Sequence, residues 1–410
     1  MYLNSKDTRG IIISVFLLVG VGIIMVYSST VLMSITKYSN SYHYLLSHIF
    51  TVFVGSAAMI LLSKTDYMSL RRPLFRIESF QLSPVHILLI VSMILLLLVF
   101  VPGIGIAAKG AKRWLRLWPT TFQPSELVKL VMVIFLADYM DKNLHRMKDL
   151  RYGIMIPVGV MIVFQGVIIM QPDFGAVMSL GVLTMGLLLL GGVRLYYIGI
   201  MFLAALPAIY ILITSSSYRM KRIMSFTDPW KDPLGSGFQL IQSFIAFGNG
   251  GLTGLGLGGS KQKLYFLPEV HTDFIYSLIG EELGLIGAAS VLALFFYFFI
   301  KGIRVAGKTK DTFSYFLTLG LTMMIGVQVI INFAVTTGLM PTKGLPLPFV
   351  SYGGSSLLIN LAAVGILINI SRKNENRITE NKMYVDRSAS HNSCLFNKSN
   401  KGLKNANFKF

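Results

Sequence analysis

The chain has 410 residues, of which 54% are hydrophobic and only 13% charged, about half the charged share of an ordinary soluble domain; its mean hydropathy is +0.65. Apolar runs recurring from Ile11 to Ile370 exclude a soluble globular enzyme and leave an all-α, polytopic integral membrane protein. The net charge is +19, and the single cysteine, Cys394, excludes an internal disulfide and a cysteine-based metal site.

In chain order, the apolar segments predict about ten transmembrane helices at roughly 20 residues each, near 11–31, 45–62, 84–101, 124–140, 152–170, 174–191, 196–214, 273–300, 312–337 and 350–371. The first run has no small-residue cleavage site after it, so it reads as a retained helix and not a signal peptide. Gln171-Pro172-Asp173 reads as a tight turn between two spans, with Asp173 as its turn or cap residue. The one long connection, 215–272, is a large external loop, and long loops of this kind are usually functional. Residues 1–371 read as one transmembrane domain. Residues 372–410 are rich in Asn, Lys and Ser without apolar periodicity, and read as a disordered basic tail.

Most Lys and Arg fall on one side if both termini are cytoplasmic, as the positive-inside rule asks. The exceptions cluster in two outer loops, around Arg113 and between Arg219 and Lys263. Topology disfavours positive charge there, so an anionic ligand outside is one explanation and anionic lipid head groups are the other. No nucleic-acid partner is expected.

The richest chemistry lies in Lys261 to Gly287. Asp273 stands where a polar, glycine-rich loop enters a span, preceded by Glu269, His271 and Thr272. It is either a helix cap or a general base at the membrane surface, able to take a proton from a sugar hydroxyl. On a continuous helix Glu281 and Glu282 would lie about 12 Å below it, as proton-pathway groups or as structural partners to another span. Pro124 suits the first turn of a helix on which Glu126 and Lys129 share a face, either as a local ion pair or as the floor of an external cavity near Arg113 and Trp114. The glycines between 248 and 259, ahead of Lys261 and Lys263, could turn backbone amides toward an anion. Pro341 to Ser356, with Ser351, opens the last span. The six histidines show no metal-binding spacing.

GAKRW at 110–114, QPSELVK at 123–129, QPDFG at 171–175, FTDPWKDPLGSGFQLIQS at 226–243, LPEVHTDFIYSLIGEELGLIG at 267–287 and PLPFVSYGGSS at 346–356 together resemble the SEDS family of bacterial peptidoglycan glycosyltransferases, from about residue 11 to 371. SKQKLYFLPEVHTDF followed by GEELG looks more like the FtsW branch than RodA. The resemblance implies polymerisation of lipid II, a lipid-linked disaccharide-pentapeptide, at the outer face of the cytoplasmic membrane. It further implies a class B penicillin-binding protein and other division proteins as partners, and location at the septum. It places the catalytic aspartate at Asp273. Arg113, Trp114, Glu126, Lys129, Lys261, Lys263 and His271 would bind substrate, with Glu269, Glu281 and Ser351 supporting. No cofactor is certain, although a divalent cation such as Mg2+ could assist the pyrophosphate. An elongation polymerase of RodA type and a lipid II flippase or transporter are the alternatives.

Overall fold

The structure, a computed structural model, describes residues 6–77, 80–108, 111–117, 120–264, 267–375 and 377. Its helices are α1 (Lys6–Tyr38), α2 (His43–Lys64), α3 (Pro84–Leu98), α4 (Pro124–Asn143), α5 (Ile156–Met170, entered through a π turn), α6 (Phe174–Leu190), α7 (Leu195–Thr214), α8 (Ser217–Thr227), α9 (Phe238–Gly250), α10 (Ile275–Gly307) and α11 (Thr312–Thr336). The last, α12 (Gly354–Glu375), continues past residue 371. The tail expected to be disordered lies, beyond 375 and 377, outside the described residues.

Among the described residues, seven helices (α1, α2, α5 with its π turn, α7, α10, α11 and α12) are long and apolar enough to cross a membrane, and α3 and α6 are shorter apolar helices. With α4 they match the ten expected spans. α4 is less apolar because it runs through the middle of the bundle. It buries Glu126, Lys129 and Asp138 along with its apolar residues, and packs on α3, α6 and α11. Ionisable groups at membrane depth belong on such an interior helix, where other helices supply their partners. α7, by contrast, has no buried residue and reads as a peripheral, lipid-facing span.

The helix ends gather at two faces. At one, here the terminal end, the start of α1 meets the ends of α10 and α12. Asp7 receives Lys301 Nζ at 2.9 Å and also Lys308, and Thr8 and Ser371 share a hydrogen bond of 2.7 Å. Asn369 Nδ2 donates to the Leu62 and Ser63 carbonyls at 3.2 and 2.9 Å, satisfying the open end of α2. Arg71 reaches Asp138 at 3.1 Å and also Asp141 on α4, while Tyr67 Oη meets Ser314 Oγ on α11 at 2.7 Å.

The opposite face, the site end, carries the irregular structure. The loop expected before α4 contains a three-stranded antiparallel sheet of β3 (Gly105–Ala108), β4 (Ala111–Leu117) and β5 (Thr120–Phe122), whereas a separate hairpin of β1 (Phe75–Ile77) and β2 (Phe80–Leu82) lies between α2 and α3 at the terminal end. The long loop is not structureless, since it holds α8 and α9.

The largest departure from expectation is in α10. Gly284 breaks it, with φ 65° and ψ −167°. The turn after α9 fills the gap. Leu255 and Gly256 N–H donate to the carbonyls of Glu281 and Glu282 at 3.0 Å each, and Leu285 and Ile286 N–H donate to the carbonyls of Gly251 and Leu252 at 2.9 and 3.2 Å. Four backbone groups at the break thus find partners at a depth where water is scarce. Any side chain at residue 284 would collide with backbone, because an added Cβ would lie 2.4 Å from Gly254 N and 2.5 Å from Leu252 O. The amides expected to face an anion are therefore, at Leu255 and Gly256, engaged by α10. Glu281 and Glu282 sit in the last turn of a short helix, not within a continuous span.

Candidate active site

Asp273 lies immediately before the N-cap residue of α10. The N-cap position is Phe274, with no side-chain cap bond, and Thr272 Oγ1 donates instead to the Glu269 carboxylate at 3.2 Å. Glu269 has φ 59°, the left-handed region that non-glycine residues avoid, and its carbonyl accepts from Thr272, Asp273 and Phe274 N–H. This tight turn presents the half-buried Asp273 at the site end. Backbone strain of this kind, costing about 1–3 kcal/mol, persists where surrounding structure enforces it and clusters at functional sites.

The turn is held from two sides. Asn332, buried on α11, donates from Nδ2 to the Asp273 carbonyl at 2.9 Å and to the Leu345 carbonyl at 2.8 Å. Tyr352 N–H donates to the His271 carbonyl at 2.9 Å. One amide thus joins the Asp273 turn to the segment between α11 and α12. There Gly344 lies against the carboxylate, and an added Cβ would stand 2.8 Å from Asp273 Oδ2. A side chain at this position would press on the carboxylate and displace it.

Lys343, beside Gly344, packs its side chain over Gly175 at the start of α6. Burial pushes its ammonium down to about 8; Asp173 opposes the shift and Lys129 adds to it. Asp173 is the cap of α6, accepting from Ala176 N–H at 3.1 Å, and it also accepts from Gln123 Nε2 at 2.9 Å. Lys129 pairs with Glu126 at 2.8 Å, and Glu126 accepts from Gln328 on α11 at 3.2 Å. Gln328 accepts in turn from Asn360 on α12 at 3.1 Å. The local ion pair is therefore one link of a buried polar chain across three helices, beneath a half-buried lysine.

Arg113 is in a β-bulge. The β3–β4 register passes from Ile106/Trp114 to Ala107/Lys112, so Arg113 has no partner on β3. Bulges re-aim side chains. The guanidinium is directed at the turn before α6, donating to the Gln171 carbonyl at 3.2 Å and to the Pro172 carbonyl, with Asp173 at 3.8 Å. Trp114 is half-buried on the same strand.

The remaining expected residues divide by location. His271 is buried against the rings of Tyr44 and Tyr352. Ser351 Oγ accepts from Leu347 N–H at 2.8 Å and closes the turn into α12. Lys263 is paired with Glu282 at 3.0 Å and with Ser28 of α1 at 3.2 Å. Glu281 gathers the segment before it, accepting from Ser260 Oγ, Lys261 N–H and Gln262 N–H. The structure therefore ties Glu281, Glu282 and Lys263 into a clamp between the long loop, α1 and α10. The Lys261 side chain is exposed. Among the described residues no three His, Cys, Asp or Glu side chains gather to hold a metal ion, and the cations at the site are lysine and arginine.

Lys343 and Asn332 did not stand out in the sequence. Their signals were a lysine in a proline-rich approach to a span, and the pair Gln328 and Asn332, four residues apart and so on one face of an otherwise apolar helix.

Comparison with known proteins agrees with this architecture. A model of FtsW, RodA and SpoVE, described as "Cell cycle protein", matches residues 9–376. "Probable peptidoglycan glycosyltransferase FtsW" of Geobacter metallireducens is 42% identical over 352 residues, covering 86% of this chain and 91% of the relative. "Stage V sporulation protein E" of Bacillus subtilis is 37% identical over 369 residues, covering 90% and 98%. Among solved structures, one described as "Structural coordination of polymerization and crosslinking by a peptidoglycan synthase complex" superposes with TM-score 0.71 and 27% identity, over 89% of this chain and 98% of the other. RodA of Thermus thermophilus shares the fold at TM-score 0.62 and 24% identity, over 89% and 96%. With the ten spans, the broken helix and the Asp273 turn in place, the chain is a membrane protein of the FtsW/RodA/SpoVE family.

Proposed function

We propose that the chain is a peptidoglycan glycosyltransferase, polymerising lipid II into glycan strands at the outer face of the cytoplasmic membrane for septal synthesis. In this reading both termini are cytoplasmic and the site end faces outward. The names of the FtsW relatives support the septal role. The peptidoglycan synthase neighbour, which couples polymerisation to crosslinking, supports a class B penicillin-binding protein as partner.

The observation that carries the reading is a carboxylate on a strained turn at the head of α10, beside a segment that leads directly to a half-buried lysine. Glycosyl transfer from lipid II needs those two groups. Asp273 takes the proton of the acceptor 4-hydroxyl as its oxygen bonds to the anomeric carbon of the donor sugar. The bond from that carbon to the pyrophosphate breaks, and the electron pair leaves with the phosphate. Lys343, with Lys129 below it, stabilises the charge that develops there, as fixed cations do best where water is sparse. Arg113 holds the Gln171–Asp173 turn from which Asp173 steers Lys343.

The test is Asp273→Asn, which keeps the shape and removes the base. Polymerisation of lipid II should fall by about 10²-fold or more, with thermal stability and partner binding unchanged. Near-native polymerisation by the Asn variant would remove Asp273 from the chemistry. A flippase would instead tolerate Asp273→Asn and fail in lipid II translocation across vesicles when Glu281 or Glu282 is neutralised.

A further inference from the structure

Asp273 has two unlike sides. One is the cationic segment of Lys343, Lys129 and Arg113. The other is a continuous series of rings. His271, two residues before Asp273, packs on Tyr352 with centroids 5.9 Å apart and on Tyr44 at 6.1 Å. Tyr44 meets Tyr352 edge-on at 5.6 Å. Tyr44 then meets Tyr38 and His43 edge-on at 5.8 and 5.7 Å, and those two stack face to face at 3.7 Å. Exposure rises along the series, from 9% at His271 to 49% at Tyr38. The wall therefore runs from beside the half-buried Asp273 out to the open end of the α1–α2 hairpin.

We propose that this wall is a saccharide-binding surface that holds the glycan chain at Asp273. The proposal rests on the glycosyltransferase reading and gives that site its second half. Lipid II polymerisation brings together a charged partner, the pyrophosphate, and an uncharged one, the sugar backbone of the strand. A cationic surface suits the first. A surface of phenol and imidazole rings suits the second, since a pyranose has apolar C–H faces to lay on rings and hydroxyl edges to bond to ring nitrogens and phenol oxygens.

Two features separate the wall from an ordinary interfacial belt of aromatic residues. Belt residues lie on the lipid-facing surface at head-group level, whereas His271 and Tyr352 come from the two segments that hold Asp273, and both are withdrawn from the surface. At the foot of the wall, 6.0 Å from the Tyr352 ring, His48 is 1% exposed and its Nε2 has no hydrogen-bond partner among the described residues. An unsatisfied nitrogen is costly to bury. A hydroxyl-rich ligand laid against the wall, reaching this nitrogen directly or through a bridging water, would bring a partner to it.

The experiment measures binding and polymerisation separately. Full-length Asp273→Asn protein in nanodiscs is titrated with uncrosslinked glycan oligomers cut from lipid II polymer, and the wall is varied by Tyr44→Leu, Tyr44→Phe and His43→Leu. We expect Tyr44→Leu to weaken oligomer binding about tenfold, as loss of one ring contact would, and Tyr44→Phe to retain it. His43→Leu, at an exposed position that folding does not depend on, should weaken it less. In the active background, Tyr44→Leu should shorten the glycan product. Oligomer binding that is unchanged in both Tyr44→Leu and His43→Leu overturns the proposal. So does product length that is unchanged in an active Tyr44→Leu enzyme. A protein with Asp273 intact that binds oligomers through the wall but polymerises nothing would instead refute the glycosyltransferase reading and leave the wall standing.

Discussion

The two ends of the bundle use the same residue types for different ends. At the terminal end, charges pair with charges from other helices, each close and mutually satisfied: Asp7 with Lys301 and Lys308, Arg71 with Asp138 and Asp141. At the site end, burial and backbone strain act on the charged groups around Asp273. Lys343 is half-buried and depressed to about 8, and Asp273 sits on a turn whose Glu269 is in a left-handed conformation. The comparison teaches that close ion pairs fasten the helices at the terminal end, whereas a depressed lysine and a strained turn gather beside Asp273, where we propose the chemistry takes place.

That contrast can be broken most directly at Asp7. Asp7→Ala removes the acceptor from two lysines, one of them buried. It should lower stability in detergent by about 3 kcal/mol, read as a fall in melting temperature, while polymerisation per folded molecule stays native. Lost activity at full stability would show that the terminal end takes part in catalysis.

The opposite pattern is expected at Asn332. Asn332→Leu frees the Asp273 and Leu345 carbonyls from their shared donor, so the carboxylate should lose its alignment. The expected outcome is about a tenfold or greater fall in kcat with little change in KM, as for loss of an interaction that matters in the transition state. A change in KM alone would make Asn332 a structural residue only.

Lys343 sharpens the comparison through pH. Its ammonium is favoured below about 8 and lost above it, because burial and Lys129 disfavour the charged form more than Asp173 restores it. If that charge holds the leaving pyrophosphate, kcat/KM should decline as pH rises through about 8. Lys343→Arg, whose charge does not titrate in this range, should remove that decline. An unaltered profile in the Arg variant would assign the alkaline limb to another group.

The smallest effect is expected at Asp66, which pairs with Lys373 at 2.8 Å and Arg72 at 3.3 Å near the membrane surface. Lys373 holds its carboxyl below the usual carboxylate range. These pairs are substantially exposed, so Asp66→Ala should cost less than ~1 kcal/mol in stability and leave polymerisation unchanged. A loss as large as that of Asp7→Ala would mean that exposure does not rank the pairs at the terminal end.

The spans were legible because apolar length is a physical requirement of the bilayer; α6 was expected at 174–191 and runs Phe174–Leu190. Pro124 and Asp173 were legible for the same reason, since both act within one helical turn. The break at Gly284 was not, because a glycine in GEELGLIG is as consistent with close helix packing as with a left-handed backbone. Only the turn 251–256, folded in from thirty residues upstream, requires the second. The bulge that aims Arg113 and the donor that Asn332 gives Asp273 likewise depend on partners distant in the chain. Composition points to such residues but does not say what they meet.

The discontinuity at Gly284 also bears on how the protein is made. A translocon reading 273–307 as one span would have to pass two carboxylates into lipid, where a charged residue at mid-membrane costs about 3 kcal/mol or more. Residues 285–307 alone are long enough to cross roughly 30 Å of hydrocarbon. The piece bearing Glu281 and Glu282 can therefore be delivered with the long loop and dock afterwards from the aqueous side, with Lys263 pairing Glu282, Ser260 bonding Glu281, and Ser28 of α1 met on docking. Insertion and completion of the site would then be separate events in biogenesis, the second governed by when the turn at 251–256 closes on α10.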